Sequence, residues 1–224
     1  MARQKNKGST LKKGNFSIYV LVDGECEQDY LSAIKTVEPF KSLLSSQRVK
    51  IAPEIPKTKS LDAQYKAVSE ALDDYDKVFW IVDYDVIRKE TLMQKRGTQT
   101  SLEKFSILST KFKNLISLKK YNGKEVYVLI NNPSIEFWYL LHYVNTAKLY
   151  TTSEEAEKKL TTYLTAYTKN DEKFRKSVFS LLKENLDTAI TNAKSLIEDP
   201  SDIQARADMY KIFENDLKIL RPSN

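Results

Sequence analysis

The chain has 224 residues, 41% of them hydrophobic and 29% charged, which is the composition of a folded protein long enough to bury a sizeable core. Its formal net charge of +6 permits a polyanionic partner such as nucleic acid but does not require one. The single histidine and single cysteine exclude a zinc site built on two histidines and an internal disulfide.

The sequence shows no sign of a membrane or secretory protein. No apolar run reaches the roughly 18 to 20 residues that a membrane span needs, and the first ten residues, MARQKNKGST, lack the apolar stretch of a signal peptide. We therefore expect a cytoplasmic protein with no membrane partner. None of the five glycines lies in a phosphate-loop or dinucleotide-binding motif, so any nucleotide hydrolysis would have to come from a separate subunit.

Residues 1–14 are basic and almost free of apolar side chains, which predicts a flexible arm. Its basic residues are Arg3, Lys5, Lys7, Lys12 and Lys13. Such an arm is either a solubilising tail or a contact to nucleic acid, and the sequence leaves both interpretations open.

Residues 15–145 alternate between strand and helix patterns, which predicts an α/β core with a largely parallel, Rossmann-like sheet flanked by helices. Runs rich in β-branched and aromatic residues predict strands at 16–22, 48–55, 78–82 and 125–130. Apolar residues at helical spacing predict helices at 27–37, 60–75, 101–118 and 135–143. Pro53 and Pro56 favour an edge position for the second strand. The polar stretch 86–99 indicates an exposed loop with room for a short helix.

Residues 146–224 form the C-terminal part, in which the strand signal disappears. Helical periodicity recurs at about 152–167, 171–184, 186–198 and 204–220. We expect a helical layer packed on the α/β core.

Three of the predicted strands are followed at once by polar residues. Asp23 follows the first strand, Asp83 and Asp85 follow the third, and Asn131 follows the last. Because the carboxyl ends of parallel strands meet at one edge of a sheet, these side chains should converge there, with Glu27 close by. Clustered carboxylates repel one another unless a cation lies among them, which favours a divalent metal site.

Asp83 and Asp85 are the pair on which this interpretation depends most. If the extended conformation persists past Val82, their carboxylates point to the same side, roughly 6 to 7 Å apart. Magnesium needs hard oxygen ligands and uses only one or two protein carboxylates in many sites. The alternative is that both residues belong to a turn and cap the next helix.

A metal site of this kind suits phosphodiester cleavage or phosphoryl transfer, with one metal ion or two. Four basic residues follow the third strand, and they would hold the flanking phosphates or simply belong to a solvated loop. They are Arg88, Lys89, Lys95 and Arg96.

Three motifs resemble the RloB-like family, which belongs to the TOPRIM-like nucleases of prokaryotic antiphage and abortive-infection systems. The family's E-G-x-T-E-x-x-Y motif is matched by D-G-E-C-E-Q-D-Y at 23–30, and its aspartate pair by D-Y-D at 83–85. Its S-N-P-x-F-E-x-W-x-L-L-H motif is matched closely by N-N-P-S-I-E-F-W-Y-L-L-H at 131–142. The resemblance covers residues 15–145 well and the C-terminal part loosely.

The resemblance implies a TOPRIM-like fold and a nuclease that uses Mg²⁺ or Mn²⁺, acts on DNA, tRNA or another RNA, and works beside a separate ATPase subunit, with an oligomer possible. The implied catalytic and metal-binding residues are Asp23, Glu27, Asp83 and Asp85, with Glu136 as a further metal ligand or helix-capping residue. Asp23 stands where the family has glutamate, and Cys26 where it has threonine. The shorter carboxylate favours the main alternative, a catalytically silent module that binds nucleic acid or regulates an ATPase. A phosphatase or phosphoryl acceptor with Asp83 as nucleophile is a more distant one.

Overall fold

The structure is a computed structural model that describes residues 16–196 and 205–213. The elements follow one another as β1 Phe16–Leu21, α1 Glu25–Ala33, α2 Phe40–Gln47, β2 Val49–Glu54, α3 Leu61–Asp74, β3 Lys77–Asp83, α4 Tyr84–Met93, α5 Ser101–Ile116, β4 Glu125–Asn132, α6 Ile135–Leu141, α7 Ser153–Leu160, α8 Glu172–Leu182, α9 Leu186–Lys194 and β5 Arg206–Ala207. The predicted basic arm, residues 1–14, lies outside the described residues.

One sheet organises the part of the chain that the structure describes. Its strand order is β2-β1-β3-β4-β5, and β1 to β4 are parallel to one another. Parallel neighbours follow from the helices that connect these strands. Only β5 runs antiparallel, pairing with the end of β4. The predicted Rossmann-like α/β fold is therefore confirmed.

Helices cover both faces of the sheet, as the uninterrupted apolar run of β3 requires. Every residue of β3 is buried. On one face, Trp80 and its neighbours pack against α3, α4 and α5. On the other, Phe79 and Ile81 share a core with α1, α2, α6 and the helices α7 to α9.

The C-terminal helices are part of that second core. Tyr30 of α1 packs edge-on against Phe179 of α8, with ring centroids 5.1 Å apart, and its hydroxyl accepts a hydrogen bond from Trp138 Nε1 of α6 at 3.0 Å. The α6 segment thus lies between the sheet and the C-terminal helices, where it connects the two.

Most predicted elements are present, with β2 at the edge of the sheet as its prolines indicated. Two differences stand out. Helix α2 was not predicted. The short helix for which the stretch 86–99 had room is present as α4, which begins at Tyr84. The helix predicted for 204–220 is wrong at 206–207, which form β5. These residues are extended because pairing with β4 satisfies their backbone hydrogen-bonding groups. Residues 214–220 lie outside the described part.

Candidate functional site

The carboxyl edge of the sheet carries the polar residues that the sequence placed there. Strands β1, β3 and β4 are adjacent, and Asp83, the last residue of β3, lies in register with Asn131 of β4. Asp23 follows the end of β1 in the turn that leads to α1. Residues about 50 to 110 positions apart therefore meet at one edge of the sheet.

A cleft of about 290 Å³ opens at this edge. It is lined by Asp23, Gly24, Glu25, Cys26, Glu27, Lys59, Asp83, Lys169, Asn170 and Arg175. Its acidic residues come from the β1–α1 turn, the first turn of α1 and the end of β3. The basic ones come from the β2–α3 loop and from the C-terminal part of the chain.

Glu27 is held in the cleft by the start of α1. Gly24 precedes the helix, and its backbone N–H donates to Glu27 Oε2 at 3.0 Å. This bond satisfies one of the free amide groups at the helix start and fixes the carboxylate, which is only 2% exposed. Glu27 is therefore a buried acid with a defined position.

The buried carboxylates of the cleft raise one another's pKa. Burial raises the pKa of Glu27 to about 7, and the carboxylates of Asp23 and Glu136 add to the effect. Burial also raises the pKa of Asp83 well above its usual range, with further contributions from Glu27 and Asp23. The pKa of Asp23 is raised too, chiefly by burial and in part by Asp85, against an opposing effect of Lys59. These shifts are a sign that the acids lie within one another's electric field.

Glu136 is the most completely enclosed of the acids. It lies in the first turn of α6 with no exposed surface. Its Oε2 accepts a hydrogen bond from Ser134 Oγ at 2.5 Å. Its Oε1 accepts one from the hydroxyl of Tyr167 at 2.9 Å and lies 2.9 Å from Nζ of Lys169. Both oxygens therefore already have partners within the protein.

Asp85 takes a different position from Asp83. The extended conformation ends at Asp83, which is the N-cap of α4, so Asp85 lies in the first turn of that helix. Its Oδ2 accepts from Lys89 Nζ at 3.1 Å and from the backbone N–H of Ser153 at 3.4 Å. The condition for both carboxylates to point to the same side is not met. Asp85 does not line the cleft, although its charge still raises the pKa of Asp83.

The four basic residues suggested as phosphate contacts also lie outside the cleft lining. Arg88 and Lys89 belong to α4, and Lys89 pairs with Asp85. Lys95 and Arg96 are exposed in the turn after that helix. Because α4 begins directly after β3, Arg88 and Lys89 belong to a helix rather than to an exposed loop.

Sequence reasoning missed the two lysines that do line the cleft, Lys59 and Lys169. Lys59 lies in the loop between β2, which ends at Glu54, and α3, which begins at Leu61, too far from the strand for the strand-end rule that found Asp23 and Asp83. Lys169 and Tyr167 lie between α7 and α8 and carried no local signal. Burial lowers the pKa of Lys169, but the nearby carboxylate of Glu136 raises it by more, so the pKa lies above its usual value.

The cleft has features that fit a divalent cation. Oδ1 of Asp83 is buried and accepts no hydrogen bond from the described residues. In the same part of the chain, neither side-chain polar atom of the neighbouring Asn131 has a partner. Buried polar atoms without partners are rare and suggest an absent ligand or ion. Within residues 16–196 and 205–213, no three acidic, histidine or cysteine side chains form a ready-made metal-ligand set. Magnesium suits such a sparse site, because it uses one or two carboxylates and retains several waters.

Comparisons with known proteins place the chain in a family. In the described part of the chain, no helix is long and apolar enough to cross a membrane. Searches of curated proteins and of solved structures returned no match. The sequence model of one family, described as RloB-like protein, matches residues 18–215. This range includes most of β1, all of β2 to β5 and every residue that lines the cleft. The chain therefore belongs to the RloB-like protein family.

Proposed function

We propose that the protein is a metal-dependent nuclease that hydrolyses phosphodiester bonds in DNA or RNA, as an effector of prokaryotic antiphage or abortive-infection defence. The observation that carries the proposal is the group of buried, mutually repelling carboxylates at the carboxyl edge of the sheet, with the unpartnered oxygen of Asp83 among them. Such a group costs stability unless a cation offsets it, so a binding role explains why it is there.

Asp83 and Asp23 are the residues that would hold Mg²⁺ or Mn²⁺, since both line the cleft and neither forms an ion pair within the described residues. The bound ion would polarise the phosphate and favour hydroxide as the attacking group. The chain itself supplies the rest. Lys59 and Lys169 attract the phosphate to the cleft, and Glu136 keeps Lys169 in place.

Glu27 is suited to move a proton. Its pKa of about 7 places it near half ionisation at neutral pH, where a general base or acid is most effective. We assign it the proton of the attacking water, while its Oε2 stays fixed by the N–H of Gly24. Asp85 supports the site from α4 by holding Lys89 and the start of α7.

Arg88, Lys89, Lys95 and Arg96 belong, under this proposal, to a wider nucleic-acid surface beyond the cleft. The exposed Lys95 and Arg96 are the best placed of the four to meet the phosphates of a long substrate. A separate ATPase subunit is proposed as a partner on the strength of the family resemblance, and the lack of a phosphate loop in this sequence agrees with it. The setting we propose for all of this is the cytoplasm.

A direct test is to incubate the protein with plasmid DNA, tRNA and total RNA, with and without Mn²⁺. We expect Mn²⁺-dependent cleavage of at least one substrate, and loss of that cleavage in Asp83→Ala and Asp85→Ala. The matched control is Glu70→Ala, which removes an exposed carboxylate of α3 that pairs with the exposed Lys66 at 3.7 Å. Cleavage that persists in both aspartate variants would remove the site assignment.

A catalytically silent module is the second candidate, and one observation favours it. Lys169 already supplies a positive charge inside the acidic cleft, so the carboxylates have a partial counter-ion without any metal. A silent module should show no carboxylate-dependent binding of Mn²⁺ or Mg²⁺ in a calorimetric titration. Binding that disappears in Asp83→Asn would favour the nuclease instead.

A further inference from the structure

Lys169 enters the acidic cleft from a distant part of the chain. It belongs to the connection between α7 and α8, yet its Nζ lies 2.9 Å from Oε1 of Glu136 on α6. It lines the cleft together with Asp23, Glu27 and Asp83. The side chain is 42% exposed, so the ammonium group reaches the acids from the open side.

Several contacts fix the position of Lys169. The carbonyl oxygen of Lys169 accepts a hydrogen bond from Arg175 Nη1 at 3.1 Å. Arg175 is itself anchored to α1, through Glu25 at 2.8 Å and Asp29 at 3.0 Å. Two residues before Lys169, the hydroxyl of Tyr167 donates to the same oxygen of Glu136. The segment is thus attached to α1 and α6, and its lysine is a fixed charge of the cleft.

These contacts restrict what Glu136 can do. A carboxylate that bridges two metal ions must offer an oxygen to each of them. The oxygens of Glu136 instead accept from Ser134, Tyr167 and Lys169. A second metal ion beside Glu136 would have to displace the ammonium group of Lys169. As long as the ammonium group remained, its positive charge would repel that ion.

We infer that the ammonium group of Lys169 is a built-in cation of the site, so that the cleft takes a single divalent ion and the lysine occupies the place of a second one. This inference rests on the proposed metal-dependent function and makes it more specific. Asp23 and Asp83 would hold the ion, and Lys169 neutralises Glu136. A phosphate bound between them would meet one metal ion and one ammonium group.

The test is the stoichiometry of Mn²⁺ binding to the full-length protein, measured by isothermal titration calorimetry and by the paramagnetic resonance signal of free Mn²⁺. The wild-type protein should bind one ion per chain in a manner that Asp83→Asn abolishes. Lys169→Gln should bind a second ion, or bind the first at least roughly tenfold more tightly, because a unit charge close to the ion is removed. Lys169→Arg should keep one ion. Lys173→Gln, an exposed lysine on α8, is the control and should match the wild type.

The outcomes separate this inference from the proposed function. Two Asp83-dependent ions in the wild-type protein would overturn the inference but leave the proposed nuclease in place. A Lys169→Gln variant that binds Mn²⁺ as the wild type does would have the same consequence. No binding in the wild type would overturn both. The wild-type stoichiometry decides the matter even if Lys169→Gln fails to fold, and circular dichroism of each variant identifies that case.

Discussion

Trp80 and Asp83 lie on opposite faces of β3 and differ in how their buried polar atoms are satisfied. On the face covered by α3 to α5, Trp80 Nε1 donates to Gln64 Oε1 at 2.7 Å, and Gln64 Nε2 donates to the carbonyl of Lys59 at 2.8 Å. Because side chains alternate along a β-strand, Asp83 shares the opposite face with Phe79 and Ile81. Its Oδ1 accepts no hydrogen bond from the described residues.

The difference shows which buried polar groups lower the free energy of unfolding. A buried polar pair with its hydrogen bonds made is close to neutral or favourable, whereas an unpartnered or repelled group is costly. The surroundings of Trp80 have the features of a structural core, whereas Asp83 has, under the proposed function, those of a binding residue. Substitutions on each face of β3 test this contrast.

Asp83→Asn should separate binding from stability most clearly. We expect cleavage to fall by roughly two orders of magnitude or more, since the bound ion that Asp83 would hold stabilises the charge of the transition state by several kcal/mol. At pH 8 without metal the variant should nevertheless be more stable than the wild type, because a buried charge repelled by Glu27 and Asp23 is removed. Urea unfolding and Mn²⁺ titration measure the two effects. Asp76→Asn is the matched control: it weakens the bonds from Ser17 at the other end of the sheet and should only destabilise.

Glu27→Gln should change how stability depends on pH. The pKa of Glu27 is raised from 4.5 to about 7 in the folded state. The contribution of Glu27 to the free energy of unfolding is therefore complete below pH 4.5 and is lost as the pH rises through 7. The variant should therefore gain stability relative to the wild type across that window, by about 3 kcal/mol at pH 8. Thermal unfolding without metal between pH 4 and 8 measures it.

Glu125→Gln provides a control of opposite sign for that experiment. Its pKa is lowered, first by the hydrogen bond from Lys77, so its contribution is present above the unfolded pKa and is lost as the pH falls. Replacement should destabilise the protein at neutral pH and have little effect in acid. If both variants respond to pH in the same direction, the assignment of repulsion to the cleft is wrong.

Trp80→Phe should disturb the structural face alone. The variant leaves a small cavity and removes the donor to Gln64 Oε1, so we expect a loss of about 2 kcal/mol in the free energy of unfolding. The affinity for Mn²⁺ should stay within about twofold of the wild type, since Trp80 faces away from the cleft. A large change in metal affinity would show that the two faces are coupled through β3.

Replacing Lys95 and Arg96 together by alanine should have the smallest effect. If these exposed residues meet phosphates, the affinity for nucleic acid should fall a few-fold, and the salt dependence should weaken by about one to two ions. Fluorescence anisotropy at several salt concentrations measures this. Lys66→Ala, an exposed residue of α3, is the control. An unchanged salt dependence would leave the stretch as a solvated loop.

Local patterns in the sequence determined the fold class, four of the five strands and the edge of the sheet at which Asp23, Glu27 and Asp83 meet. A buried parallel strand is a local apolar run, and the direction of its neighbours follows from the helices between them, so the order of elements along the chain carried that information. The match to a family at residues 131–142 added the position of Glu136.

The tertiary structure alone decided the electrostatics of the site. Whether Asp85 faced the cleft depended on where β3 ended and α4 began, and a shift of one or two residues there changes the direction of the carboxylate. The contacts of Tyr167 and Lys169 to Glu136 span about 30 residues, and no periodicity marks a loop that crosses another element. Short-range sequence patterns fix where the strands end. The charged side chains beside those ends come from segments that are distant in the sequence and pack there only when the whole chain folds.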